Sequence, residues 1–107
     1  MNLISREELL VAMRNGERLV VLEALPEKYY RHGHLPGALL FPPAEARELA
    51  ARVVPDRSTR VVVYCASATC KSSHEAAEVL ASMGYEAVQV YAEGKADWHA
   101  AGLQLDR

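Results

Sequence analysis

Cysteine is scarce in this sequence: the chain of 107 residues has two, at positions 65 and 70. Small secreted domains held together by disulfides carry more cysteines, spread along the chain, so this class is excluded. No apolar run approaches the ~20 residues of a membrane-spanning helix. Lysine and arginine form no cluster and the net charge is −2, so we expect no nucleic-acid or membrane partner.

The amino terminus also lacks the charged-then-apolar pattern of a secretion signal, so we expect a cytoplasmic protein with reduced thiols. Half of the residues are hydrophobic and 24% are charged, a composition typical of globular proteins. No linker, repeat or low-complexity tract interrupts the chain. We therefore expect residues 1–107 to form a single domain.

Short apolar runs alternate with helical patterns along the chain. Ser5 and Glu8 form a capping box that predicts a helix ending near Gly16. Further helices are expected at 43–53, after the loop that follows Cys65, and at 95–102; strands are expected at 18–23, 38–41, 60–65 and 87–91. Residues 29–42, apart from the short strand, read as a loop. The alternation predicts an α/β fold with a mainly parallel sheet and helices on both faces.

Cys65 ends the strongest predicted strand, "RVVVYC", and a short polar loop then leads into a helix. Ligand sites in open α/β sheets lie at this end of the strands. Backbone N–H groups of the loop and the helix N-terminus favour an anion there, so we expect the Cys65 pKa to fall below the free-cysteine value of about 8.5. Strand position alone equally allows a small buried hydrophobe at this site.

Four blocks of sequence resemble the single-domain rhodaneses of the sulfurtransferase superfamily, in the family order and spacing. They are "ISREELLVAMRNGERLVVLEA", "HGHLPGALLFP", "VVVYC" with its loop and "SSHEAAEVLASMGY", and "VYAEGKADWHAAGLQL". The resemblance implies a three-layer α/β/α fold. It also implies that Cys65 accepts a sulfane sulfur as a persulfide and passes it to a nucleophile, with no cofactor. The implied partners are a small sulfur donor or a persulfide-carrying protein, and a thiol acceptor; the oligomeric state is left open.

The loop after Cys65 is the implied binding site for the transferred group. Its residues are Ala66, Ser67, Ala68, Thr69, Cys70, Lys71 and Ser72. We expect Ser72 or Ser73 to cap the following helix, and Ala68 to stand where a positive φ is wanted.

This loop departs from the usual rhodanese loop because it lacks arginine. Lys71 is its one cation, and a lysine cannot clamp an oxyanion in a bidentate fashion. Leu25 likewise stands where the family often has an arginine. We therefore expect poor use of thiosulfate and do not favour a phosphatase or an arsenate reductase.

Cys70 follows Cys65 at C-x4-C spacing and offers a possible resolving thiol, or simply fills the loop. A metal site would use Cys65, Cys70 and His74, but no C-x2-C pair or second cluster supports it, so we expect no metal. Two other functions remain open. One is a thiol–disulfide redox protein using both cysteines, and the other is a catalytically inactive binding module.

Overall fold

The computed structural model describes residues 2–107, and within them five strands form one sheet. The strands are Asn2–Leu3 (β1), Leu19–Glu23 (β2), Leu39–Leu40 (β3), Arg60–Tyr64 (β4) and Ala87–Tyr91 (β5). Their order is β1-β5-β4-β2-β3, and every neighbouring pair is parallel. The strand before Cys65 is therefore central, as its apolar run predicts.

The helices are Arg6–Arg14 (α1), Glu27–His32 (α2), Ala46–Val53 (α3), Ser72–Ser82 (α4) and Gly94–Ala100 (α5). A single 3₁₀ turn, Pro43–Glu45, precedes α3. The capping box of Ser5 and Glu8 is present at the start of α1. No helix in the described part of the chain is long and apolar enough to cross a membrane.

Two hydrophobic clusters cover the two faces of the sheet. Val61 and Val63 pack with side chains of α3 and α4, whereas Val62 and Tyr64 pack with Leu9 of α1 and Trp98 of α5. Successive side chains of a strand point to opposite faces, and here each face is buried. Burying each valine stabilises the fold by about 1.5–3 kcal/mol. The three-layer α/β/α architecture expected from the sequence is confirmed.

Residues 27–32 differ from the prediction because Tyr29–His32, expected in a loop, belong to α2. Contacts with residues that follow it in the chain stabilise this short helix. The Tyr30 hydroxyl donates to the Ala38 carbonyl at 2.6 Å, and the Tyr30 ring stacks on His34 with a centroid separation of 3.8 Å. Strand β1 was also not expected, and it pairs with the sheet edge through Asn2 and Leu3.

Candidate functional site

Cys65 lies at the carboxyl end of β4, directly after Tyr64, and is fully buried. The start of α5 holds its backbone: the Lys95 N–H donates to the Cys65 carbonyl and the Ala96 N–H to the Ala66 carbonyl, each at 2.9 Å. Gly94 permits this approach, because a Cβ added there would lie 2.5 Å from the Cys65 carbonyl oxygen. The first residues of the loop are therefore fixed from outside the loop.

The rest of the loop closes on itself. The Cys70 N–H donates to the Ser67 carbonyl at 3.0 Å, and the Ser67 and Thr69 hydroxyls are 3.1 Å apart. Of the predicted binding residues, Ala66, Ala68, Thr69 and Lys71 are exposed, and Ser67, Cys70 and Ser72 are partly buried. Within residues 2–107 only glycines have positive φ, so the expectation for Ala68 is wrong: this loop turns without a left-handed residue.

Helix α4 begins at Ser72 without a side-chain cap. Its N-cap residue is Lys71, which has a right-handed helical conformation, so neither Ser72 nor Ser73 takes the expected capping role. The reason is that Ser73 is buried and turned towards the sheet, with its Oγ 3.4 Å from the Cys65 Sγ. The first turn of α4 thus contacts Cys65 directly.

Cys65 and Cys70 are in contact within the loop, and their two thiols ionise differently. The Cys65 Sγ lies 3.4 Å from the Cys70 carbonyl oxygen, to which it donates. Burial, followed by the hydrogen bond with Cys70, raises the Cys65 pKa, although its contacts with Ser73 act in the opposite direction. The expected lowering of the Cys65 pKa is therefore wrong, because the sequence pattern does not reveal how deeply this sulfur is buried.

Cys70 shows the opposite shift. Partial burial disfavours its thiolate. The interaction with the Cys65 side chain, the Ala66 and Ser72 N–H groups and the Ser72 hydroxyl outweigh burial and lower the Cys70 pKa. The loop amides thus stabilise a negative charge at Cys70. Of the two thiols, Cys70 is the one that ionises at lower pH.

A buried ionic network that sequence reasoning missed lies beside Cys65. The fully buried Glu23 carboxylate accepts from the Tyr64 hydroxyl at 2.6 Å and from the Lys95 ammonium at 3.0 Å. Burial and the hydrogen bond to Glu23 raise the Tyr64 pKa strongly, so the phenol stays protonated. An acidic residue ending an otherwise apolar strand was the available signal, but its partner is 72 positions away.

A cavity of about 390 Å³ opens next to the loop at Ala66. Its walls are mostly apolar, and its polar side chains are those of Lys95, His32 and His99; the remaining lining residues are Leu25, Tyr29, Gly33, Ala66, Ala96 and Leu105. Lys95 is already paired with Glu23. The cavity has the size and character of a small-molecule site, but it meets the loop at Ala66, and Cys65 and Cys70 are not among its lining residues.

Metal binding gains no support from the geometry. Among the residues that the structure describes, no three or more His, Cys, Asp and Glu side chains come together as possible metal ligands. The suggested set of Cys65, Cys70 and His74 is therefore not assembled.

Known proteins resemble this chain in sequence and in fold. It is 34% identical to an HTH-type transcriptional regulator of Mycobacterium tuberculosis over 96% of this chain and 44% of the regulator. It is 38% identical to thiosulfate sulfurtransferase PspE of Escherichia coli over 61% of this chain and 60% of that protein. A crystal structure of thiosulfate sulfurtransferase from Pseudomonas aeruginosa superposes with a TM-score of 0.87 at 27% identity, over all of this chain and 20% of that one.

This chain thus spans less than two thirds of each of these proteins. The family model described as "Rhodanese-like domain" matches residues 5–101 of this chain. That range includes the central strand, Cys65, the whole loop and α4. The chain belongs to the rhodanese-like domain family.

Proposed function

We propose that this domain is a sulfurtransferase that carries a sulfane sulfur on Cys65 as a persulfide and passes it to a thiol or another nucleophile. The observation that carries the proposal is the position of Cys65. It begins a loop of backbone amides at the carboxyl end of the central strand, in a chain of the rhodanese-like family. The two sulfurtransferases among its relatives support the same class of reaction.

The transfer takes place in two displacements. The Cys65 thiolate attacks the sulfane sulfur of the donor, a new S–S bond forms, and the donor remainder leaves with the electron pair of the broken bond. An acceptor thiolate then attacks the outer sulfur, and Cys65 leaves as a thiolate.

We take the cavity next to Ala66 as the site of the donor's organic group. On this basis the preferred donor is an alkyl or aryl persulfide or thiosulfonate and not thiosulfate. The walls of the cavity are apolar, and the charge of its lysine is balanced by Glu23 at 3.0 Å. Lys71, the cation of the loop itself, is exposed. A small dianion therefore finds no dehydrated cation or bidentate clamp here.

Intact-protein mass spectrometry after brief exposure to a donor tests the proposal. The donors are thiosulfate, inorganic polysulfide and a low-molecular-weight persulfide, and the proteins are Cys70→Ser and the double variant Cys65→Ser/Cys70→Ser. We expect Cys70→Ser to gain one sulfur atom and the double variant to gain none. Absence of added sulfur on Cys70→Ser with every donor contradicts the proposal.

A catalytically inactive binding module is the second candidate, and the raised Cys65 pKa favours it. A protonated, buried thiol is a poor nucleophile. This function predicts slow alkylation of Cys65 at neutral pH and no added sulfur in the same mass spectra. One donor that loads Cys65 is sufficient to exclude it.

A further inference from the structure

The two cysteines form a pair whose second member the sulfur transfer does not require. Both are free thiols. The Cys65 sulfur touches the backbone carbonyl of Cys70 at 3.4 Å, so the loop folds Cys70 back over the reacting atom. The Ser73 hydroxyl also contacts the Cys65 sulfur, at 3.4 Å. Any group bonded to Cys65 therefore lies beside Cys70, whose side chain also acts on the Cys65 pKa.

The two cysteines differ in exposure and in attachment. Cys65 is fully buried, and backbone hydrogen bonds from α5 hold its carbonyl and that of Ala66. Cys70 is partly exposed and lies in a segment outside the helices and strands, preceded by the small side chains of residues 66–69. A disulfide needs Cα atoms about 4.4–6.8 Å apart. Of the two cysteines, Cys70 is therefore the one that can move to meet this requirement without disturbing the sheet.

Cys70 is also chemically suited to attack. Nucleophilic attack on a persulfide needs a thiolate, and the Ala66 and Ser72 N–H groups stabilise the Cys70 thiolate. Once Cys65 carries a sulfur, it is no longer a free thiol that ionises beside Cys70. A lowered pKa therefore raises the fraction of Cys70 that is thiolate at a given pH.

We propose that Cys70 resolves the Cys65 persulfide, releasing hydrosulfide and leaving a disulfide between Cys65 and Cys70. This inference rests on the proposed function, because it requires the persulfide on Cys65. It adds a second activity, in which the domain reduces sulfane sulfur to sulfide instead of handing it on intact.

The atoms and electrons of this step balance. The Cys70 thiolate attacks the Cys65 Sγ, the Cys65–Cys70 S–S bond forms, and the bond from Cys65 to the outer sulfur breaks. The outer sulfur leaves with the electron pair and its proton as HS⁻. The sulfane sulfur is reduced and the two cysteines are oxidised. A dithiol reductant then reduces the disulfide and is itself oxidised to a disulfide, which returns both cysteines to the thiol state.

A single-turnover experiment tests the proposal with no thiol present beyond the one equivalent that the donor leaves behind. Wild type, Cys70→Ser and the control Cys70→Ser/Ala81→Cys are mixed with one equivalent of a low-molecular-weight persulfide, and sulfide and protein mass are followed in time. Ala81 is exposed on α4, so the control restores a second thiol outside the loop. The proteins are kept dilute so that reaction between chains is slow.

We expect wild type to release one hydrosulfide per chain and to end two hydrogens lighter. We expect Cys70→Ser and the control to keep the added sulfur and to release sulfide at least about tenfold more slowly than wild type. Wild type that keeps its persulfide, or a control that releases sulfide like wild type, overturns the inference. Failure of Cys70→Ser to gain sulfur overturns the proposed function instead.

A measurement on the unmodified sequence guards against a Cys70→Ser variant that does not fold. Wild type is quenched with alkylating agent after the turnover and digested without reductant. We expect a peptide containing the Cys65–Cys70 disulfide, in an amount equal to the sulfide released. Sulfide release with both cysteines alkylated as free thiols overturns the proposal.

Discussion

Two clusters of polar side chains lie at the carboxyl end of the central strands, and they differ in the strength of their contacts. The Glu23, Tyr64 and Lys95 cluster has short hydrogen bonds, at 2.6 and 3.0 Å, around a fully buried carboxylate. The Cys65, Cys70 and Ser73 cluster has sulfur contacts at 3.4 Å. Among the described residues, no buried side-chain nitrogen or oxygen lacks a hydrogen-bond partner.

The two clusters also differ in what their charged groups do. The Lys95 ammonium binds Glu23 and so joins α5 to β2, and it is not free to bind a substrate anion. The Lys95 backbone N–H holds the Cys65 carbonyl. Backbone amides instead stabilise negative charge in the loop: those of Ala66 and Ser72 act on Cys70, and that of Ser73 acts on Cys65. The structure therefore separates rigidity, which the ionic cluster provides, from reactivity, which the thiol pair provides.

The largest expected effect comes from breaking the ionic cluster with Lys95→Met. This change leaves the Glu23 carboxylate buried without its cation, and we expect the free energy of unfolding to fall by about 3–5 kcal/mol, measured by urea denaturation. The double variant Glu23→Gln/Lys95→Met removes both charges, so it is expected to recover most of the loss. Equal destabilisation in the two proteins contradicts the role assigned to the pair.

The next effect concerns the junction between the two clusters, where Gly94 has a φ of 70° and no room for a Cβ. We expect Gly94→Ala to lower the free energy of unfolding by about 2–4 kcal/mol through strain and steric overlap, and to accelerate Cys65 alkylation as the loop is displaced. Gly16→Ala is the matched control, since Gly16 has a φ of 67° and nothing within 4 Å. It is expected to cost only about 1 kcal/mol. Equal losses for both variants count against the loop contact.

A smaller effect tests the thiol pair by residue-resolved alkylation against pH. A lowered pKa gives a larger thiolate fraction at a given pH, so Cys70 is expected to react at lower pH than Cys65. Ser73→Ala removes a contact that lowers the Cys65 pKa, so it is expected to move Cys65 alkylation to still higher pH. The Cys70 profile is the internal control and is expected to keep its position. The reverse order of the two cysteines refutes the assignment.

The smallest effect concerns the cavity. His99→Arg adds a permanent cation to its exposed wall, and we expect kcat/KM for thiosulfate to rise about threefold relative to an aryl thiosulfonate, an effect below 1 kcal/mol. His99→Gln changes the side chain without adding charge and is expected to leave the ratio unchanged. The same ratio in both variants argues against the cavity as the donor site.

Local sequence signals predicted much of the fold and the position of the candidate nucleophile. The capping box of α1 and the apolar run of β4 act over a few residues, so they can be read directly from the sequence. Helix α2 was missed because Gly33 and Pro36 suggest a loop, whereas its stability comes from the contacts of Tyr30 with Ala38 and His34.

The chemistry of the site was less predictable than its position. The resemblance and the strand pattern indicated Cys65, but its pKa depends on burial under α4 and on which sulfur the loop amides face. The Glu23–Lys95 pair joins residues that no local pattern connects. Interactions of this kind depend on the tertiary fold, so one sequence does not reveal them.

The way the loop is attached also has a consequence for engineering. The carbonyls of Cys65 and Ala66 are held by α5, and residues from Ser72 onward belong to α4. Residues 67–71 can thus be exchanged for other loop sequences, because the residues on both sides of them are held in place. Lengthening such a segment raises its closure entropy only logarithmically, so grafted loops of different length and charge can be compared on one unchanged scaffold.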